Sequence, residues 1–190
     1  MAGLSFHKKR RTVNYDLIRE VVVWTFQIAV VCLVAFVGVW FLGQRVSVIG
    51  NSMEPVLQNG DVALINSLSY NMGTPKRGDV VAFKPNGNEN AHYSIKRIIG
   101  LPNENVEIID GEIYIDGELL EEEYITTEIL DVGILDEAVK LGKSEYFVLG
   151  DDRQNSEDSR MANIGNVKRA EIKGKVWMVI SPRENFGFVK

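Results

Sequence analysis

Hydrophobic positions fall into two regimes along this chain. From Val21 to Leu42 no residue is charged and nearly all are apolar, over 22 positions. A helix over that run is about 33 Å long at about 1.5 Å per residue, enough to cross a hydrocarbon core about 30 Å thick. Trp24 and Trp40 lie near its ends, where indole rings favour the membrane interface. A cleaved secretory leader is the rival reading, but its apolar region spans only about 7 to 15 residues. The run here is longer and leads into Gly43-Gln44-Arg45-Val46 rather than a small-x-small site. A buried core helix also fits poorly, because the segment is apolar on all sides. The pattern predicts one uncleaved transmembrane anchor over residues 21–43.

After the anchor the period changes from helical to alternating. Short β-branched or alternating runs recur at Asp61–Asn66, Asp79–Lys84, Tyr93–Ile99, Val106–Ile109, Glu112–Ile115, Glu145–Leu149 and Lys175–Ile180. Turn residues separate them: Asn59-Gly60, Arg77-Gly78, Pro85-Asn86-Gly87, Asp110-Gly111 and Asp116-Gly117. Asp110-Gly111 between two alternating runs predicts a β-hairpin. No long amphipathic segment follows the anchor, so helices there should be short. Glu121–Leu141 is acidic with weak periodicity and reads as a loop or insert. The fold class is therefore mostly β, a single domain over 44–190 behind one N-terminal transmembrane helix and a basic tail over 1–20.

Charge orients this arrangement. The net charge of −5 and pI of about 5.2 offer no footprint for nucleic acid, and none is expected as a partner. Lys8, Lys9, Arg10, Arg11 and Arg19 precede the anchor against only Asp16 and Glu20, leaving 16 basic and 24 acidic residues from Gln44 onward. Residues 1–14 are polar, basic and aperiodic, which reads as a disordered tail. Basic residues beside an anchor stay in the cytoplasm, so the β domain is expected on the far side of the membrane.

Candidate chemistry narrows quickly. Cys32 is the one cysteine and lies inside the anchor, so neither a disulfide nor a thiolate metal site is available. His7 and His92 have no zinc-type spacing, and no metal or cofactor is expected. In Gly150-Asp151-Asp152-Arg153-Gln154-Asn155-Ser156-Glu157-Asp158-Ser159-Arg160 the acids suggest a calcium loop or a solvated loop. A calcium loop counted from Asp151 would place Ser156 where glycine is needed and Ala162 where glutamate is needed.

Two residues offer a nucleophile and a base. Ser52 sits in Gly50-Asn51-Ser52-Met53-Glu54-Pro55, and Lys96 in Ser94-Ile95-Lys96-Arg97-Ile98-Ile99-Gly100. A lysine takes a proton from serine only when it is held neutral. Lowering its pKa from about 10.4 to roughly 7 or 8 costs on the order of 4 kcal/mol, which desolvation by Ile95, Ile98 and Ile99 can supply. Read singly, Ser52 near glycine and proline is also a turn residue, and a strand lysine also faces solvent. His92 is a rival base for a Ser-His-Asp arrangement, but its polar surroundings, Asn88-Glu89-Asn90-Ala91, read as a solvated loop.

Together these stretches resemble the bacterial type I signal peptidases, membrane-anchored Ser-Lys proteases. Ser52-Met53-Glu54-Pro55 is similar to the family's nucleophile box and Arg77-Gly78-Asp79-Val80-Val81 to its next strand. Lys96-Arg97-Ile98-Ile99-Gly100-Leu101-Pro102 is similar to its lysine box, and Gly150–Arg160 to its last. The resemblance implies a compact catalytic domain in the bacterial cell membrane that removes signal peptides from preproteins after small-x-small sites. It implies that Ser52 attacks, that Lys96 is the general base, and that Ser156 hydrogen-bonds and orients the lysine. It further implies that Asp151, Arg97, Asp158 and Arg160 brace the site, and that Met53 and Ile95 line the substrate pockets.

Three positions depart from the family pattern. Gly50 stands where some members carry a serine that helps form the oxyanion hole, which leaves the Ser52 N–H as the assigned donor. Asp152 replaces a common asparagine and Val56 a common threonine. The spacing between the lysine box and the last box is too short for a large second domain. Two other functions fit parts of the pattern. A non-catalytic, membrane-anchored assembly factor for secreted or pilus subunits would not need the dyad. A self-cleaving Ser-Lys repressor would need a DNA-binding segment, which the chain lacks.

Overall fold

The computed structural model describes residues 15–122, 124, 127–133 and 137–189, so the first fourteen residues of the basic tail lie outside the described residues. Contacts divide the chain at Gly38 and Val39 into two units. Helix α1, Tyr15–Leu42, runs for 28 residues and starts six before the apolar run. Asp16 lies in its first turn, where a carboxylate complements the free N–H groups. Its apolar side chains, among them Trp24, Phe26 and Phe36, are exposed.

The second unit is built on strands. They are β1 (Gln44–Ser47), β2 (Val62–Asn66), β3 (Val80–Phe83), β4 (Ser94–Gly100), β5 (Asn105–Ile109) and β6 (Glu112–Ile115). There follow β7 (Glu118–Leu119), β8 (Val139–Lys140), β9 (Glu145–Leu149), β10 (Val167–Lys168), β11 (Ile172–Ser181) and β12 (Gly187–Phe188). Helix α2, Leu68–Met72, has five residues. The larger sheet runs β1-β2-β11-β3-β4-β9-β10, with β12 added to β11, and the smaller runs β7-β6-β5-β8. Each pairing is antiparallel.

All seven runs read from the sequence are strands, and the β5–β6 hairpin turns at Asp110-Gly111 as expected. Asp110 and Gly111 have φ of 51° and 83°, the two positive values that a tight turn matching strand twist requires. In β3 alternation serves two cores. Val80 and Ala82 join a cluster with Met53, Leu57, Ile65 and Ile95. Val81 and Phe83 join another with Tyr70, Ile98 and Val148. The smaller sheet packs on the larger through a third cluster, in which Val106, Ile108 and Ile113 meet Ile99, Phe147 and Leu149. Burying each such side chain contributes about 1.5–3 kcal/mol. Lys96 in β4 lies opposite Val81 of β3, so the lysine box occupies an interior strand of a sheet covered by apolar clusters.

Strand β11 runs close against the end of β2 at Gly174. A Cβ there would fall 2.6 Å from the Asn66 carbonyl oxygen and 2.7 Å from Ile65 Cγ2. Gly174→Ala should therefore destabilise the domain by about 1–3 kcal/mol through overpacking. Thermal or denaturant unfolding of the detergent-solubilised protein checks this, and an unchanged midpoint would refute it.

Candidate active site

Ser52 is carried by the connection from β1 to β2. This connection is closed by reciprocal backbone bonds, Val48 N–H to Asp61 O (2.8 Å) and Gly60 N–H to Val48 O (3.0 Å). Gly50 has φ of +84° and donates its N–H to Asn59 Oδ1 (3.0 Å). A non-glycine residue pays strain at that φ, which gives this departure from the family pattern a backbone reason. Met53 and Leu57 then drop into the core, and Leu57 N–H bonds back to Met53 O (2.9 Å). Ser52 stands half-buried above them.

Lys96 is 5% exposed and its Nζ lies 2.5 Å from Ser52 Oγ. Burial pushes its pKa down from 10.5 to about 8. Asp158, Glu157 and Asp151 pull it up against that trend, and Arg160 pushes it further down. The two buried aspartates among these are each held by an arginine. Arg97 donates from Nε and Nη2 to Asp151 (2.7 and 2.6 Å), and from Nη1 to Gly78 O (2.9 Å). Arg160 donates from Nε and Nη2 to Asp158 (2.9 and 3.0 Å). Such bidentate pairs satisfy a carboxylate while cancelling its charge.

The last box closes against Ser52. Asp152 N–H donates to Ser52 O (3.1 Å), and Gly150 N–H donates to Asp158 Oδ2 (3.2 Å). A Cβ on Gly150 would fall 2.4 Å from Ser52 O and 2.3 Å from Ser156 Oγ, so only glycine allows this approach. Asp152 is capped by Asn155 and by the Gln154 and Asn155 N–H groups, which hold its carboxyl below the usual range. Asparagine would offer a similar acceptor there, consistent with the exchange at this position.

Ser52, Lys96, Arg97, Asp151, Asp158 and Arg160 thus come together. Two expected placements are not met. Ser156 is buried, but its Oγ makes no hydrogen bond among the described residues and lies close against Gly150. Met53 is 1% exposed and belongs to the core, outside the cleft lining. Ile95 does line the cleft, a space of about 190 Å³ shared with Val48, Ile49, Ser52, Tyr93 and Lys96. His92 lies exposed at the same cleft, but the group on Ser52 Oγ is the lysine. The sequence reading also missed Arg153, Glu122, Tyr124 and Thr127. Arg153 is 2% exposed, with Nε on Gly150 O (2.9 Å) and Nη2 on Glu122 Oε1 (2.7 Å). Its only signal was a place inside the last box; the others lie in the weakly patterned insert.

The family model described as signal peptidase, peptidase S26, matches residues 19–181. The chain belongs to the signal peptidase family. It is 31% identical over 178 residues to signal peptidase I P of Bacillus subtilis subsp. natto, covering 90% of this chain and 95% of that one. It is 34% identical over 166 residues to signal peptidase I T of Bacillus subtilis, covering 84% of each. A crystal structure of a signal peptidase I from Enterococcus faecalis aligns with 55% of this chain and 97% of its own, at 33% identity and a TM-score of 0.43. Membership in the signal peptidase family makes the protein a peptidase, and with α1 it makes it a membrane-anchored one.

Glu157 is exposed yet raises the lysine pKa through its charge. Glu157→Gln should therefore lower that pKa and move the acid limb of the signal peptidase pH–rate profile to lower pH. A limb that stays put or moves up would contradict this electrostatic account.

Proposed function

We propose that this protein is a signal peptidase I that removes signal peptides from exported preproteins through a Ser52–Lys96 dyad. The 2.5 Å contact between Ser52 Oγ and the buried Lys96 Nζ is the observation that carries the reading. With a pKa of about 8, an appreciable share of Lys96 is neutral near pH 7. Neutral Lys96 takes the Ser52 proton as Oγ attacks the scissile carbonyl. The tetrahedral oxyanion is met by the Ser52 N–H, which donates to no group among the described residues. Collapse expels the new amine, which takes the proton from Lys96 and leaves an acyl-enzyme ester on Ser52. Lys96 then deprotonates a water, which attacks the ester and frees the serine.

The apolar lining of Val48, Ile49, Tyr93 and Ile95 beside the dyad supports a substrate with small apolar residues before the cut. The basic residues before α1 support an N-terminus in the cytoplasm with residues 44–190 outside it. That topology puts the peptidase domain on the side of the membrane where a preprotein's cleavage site emerges. Tethering there raises the effective concentration of enzyme over substrate. The alternative, a non-catalytic assembly factor for secreted or pilus subunits, gives no reason for a desolvated lysine against a serine.

Cleavage of a precursor with an Ala-x-Ala site, by the detergent-solubilised full chain, tests the reading. Ser52→Ala and Lys96→Ala should each lower turnover by at least about a thousandfold while remaining folded. Full activity in folded Lys96→Ala would rule out the dyad, and an inert wild type would favour the assembly factor.

A further inference from the structure

The ion pairs behind the dyad are fastened from a segment that no motif marks. Tyr124 covers the Arg97 guanidinium at 3.9 Å from its ring centre. The Asp131 carbonyl accepts from Arg160 Nη1 (3.0 Å). Thr127 Oγ1 accepts the Arg153 N–H (2.8 Å) and lies 3.3 Å from Asp152 Oδ1. Glu122 Oε1 accepts from Arg153 Nη2 (2.7 Å), and both side chains of that pair are about as buried as any in the domain, at 2% and 1% exposure. The insert thus holds the Gly150–Arg160 loop through three residues and Arg97 of β4 through a fourth, and two of those on the loop meet at Arg153.

Arg153 is also the link inward. Its Nε donates to Gly150 O (2.9 Å), and its own carbonyl accepts from Arg160 Nη2 (2.7 Å). Gly150 packs against the Ser52 carbonyl and Ser156 so closely that a Cβ would not fit. A shift of Gly150 therefore passes by direct contact to Ser52 and alters its distance to Lys96. Arg153 lies outside the lining of the cleft at Ser52 and Lys96; with Glu122 and Thr127 it lines a separate cavity of about 340 Å³ beside β6.

We propose that Arg153 is a positioning residue for the peptidase reaction: clamped by Glu122 and Thr127, it fixes Gly150 and through it the Ser52–Lys96 geometry. The proposal rests on the dyad reading above. A monodentate cation cannot hold Gly150 O and Glu122 together in the same geometry, so Arg153→Lys tests the fork rather than the charge.

The experiment measures single turnover of an Ala-x-Ala precursor with full-length enzyme in excess, for Arg153→Lys, Glu122→Gln, Thr127→Val and the wild type. The saturating rate constant depends on site geometry and not on the fraction of folded enzyme, which affects only the amplitude. Arg153→Lys should lower that constant about 10- to 100-fold, with half-saturation within about twofold of wild type. Glu122→Gln should lower it less, and the double variant should be no worse than Arg153→Lys. A reduced amplitude or melting temperature with a wild-type rate constant would reduce Arg153 to a structural role and overturn the proposal. If Arg153→Lys does not fold, Glu122→Gln and Thr127→Val decide: slower turnover in either supports the clamp, and wild-type constants in both overturn it. Wild type and Lys96→Ala run alongside, so failure of the dyad reading is seen separately.

Discussion

The structure depends on keeping one lysine dry beside one serine. Lys96 is surrounded until its pKa falls to about 8, and that desolvation costs on the order of 3 kcal/mol below that pH. The cost falls on the fold. The unfolded chain holds the lysine proton up to the ordinary pKa, so this group's contribution to stability rises with pH from about 8 to 10.5. An interior strand flanked by apolar clusters gives the burial. The same strand places Arg97 next to the lysine, where its guanidinium cancels a carboxylate that would otherwise recharge Lys96.

Glycines set how near the pieces come. Gly150 lets the last box touch the Ser52 carbonyl, and Gly50 makes the positive-φ turn that presents the serine. At Gly50 the backbone N–H is taken by Asn59 Oδ1, which pins this turn. Lys96 and the loop before it come from the larger sheet, while the insert that latches the arginines joins strands β7 and β8 of the smaller one. The smaller sheet is therefore more than a surface addition; it carries the outer side of the catalytic loop.

Sequence pattern exposed the long periodic parts. The anchor, the seven longer strands and the hairpin at Asp110-Gly111 follow from runs whose period is self-evident. Strands β7, β8, β10 and β12 have two residues each, too few to show a period, and β1 is masked by following directly on the anchor. Lys96 stood out because a lysine inside an apolar strand is a local conflict, and local conflicts gather at functional sites, whereas Ser52 was paired with it through the family resemblance. Ser156 and Met53 were placed by similarity alone, and their side chains turn to Gly150 and to the core. Glu122, Tyr124 and Thr127 were invisible because their partners lie 25 to 31 residues away, and no local rule links an acidic loop to a distant arginine.

The central claim is that the fold itself lowers the Lys96 pKa from 10.5 to about 8. Selective 13C-methylation of lysines and NMR titration of Lys96, assigned by comparison with Lys96→Ala in a Ser52→Ala background, measures this without relying on turnover. The account predicts one amine titrating near pH 8, well below the other lysines, and its disappearance in Lys96→Ala. A Lys96 resonance that titrates with the rest, near 10.5, would contradict it.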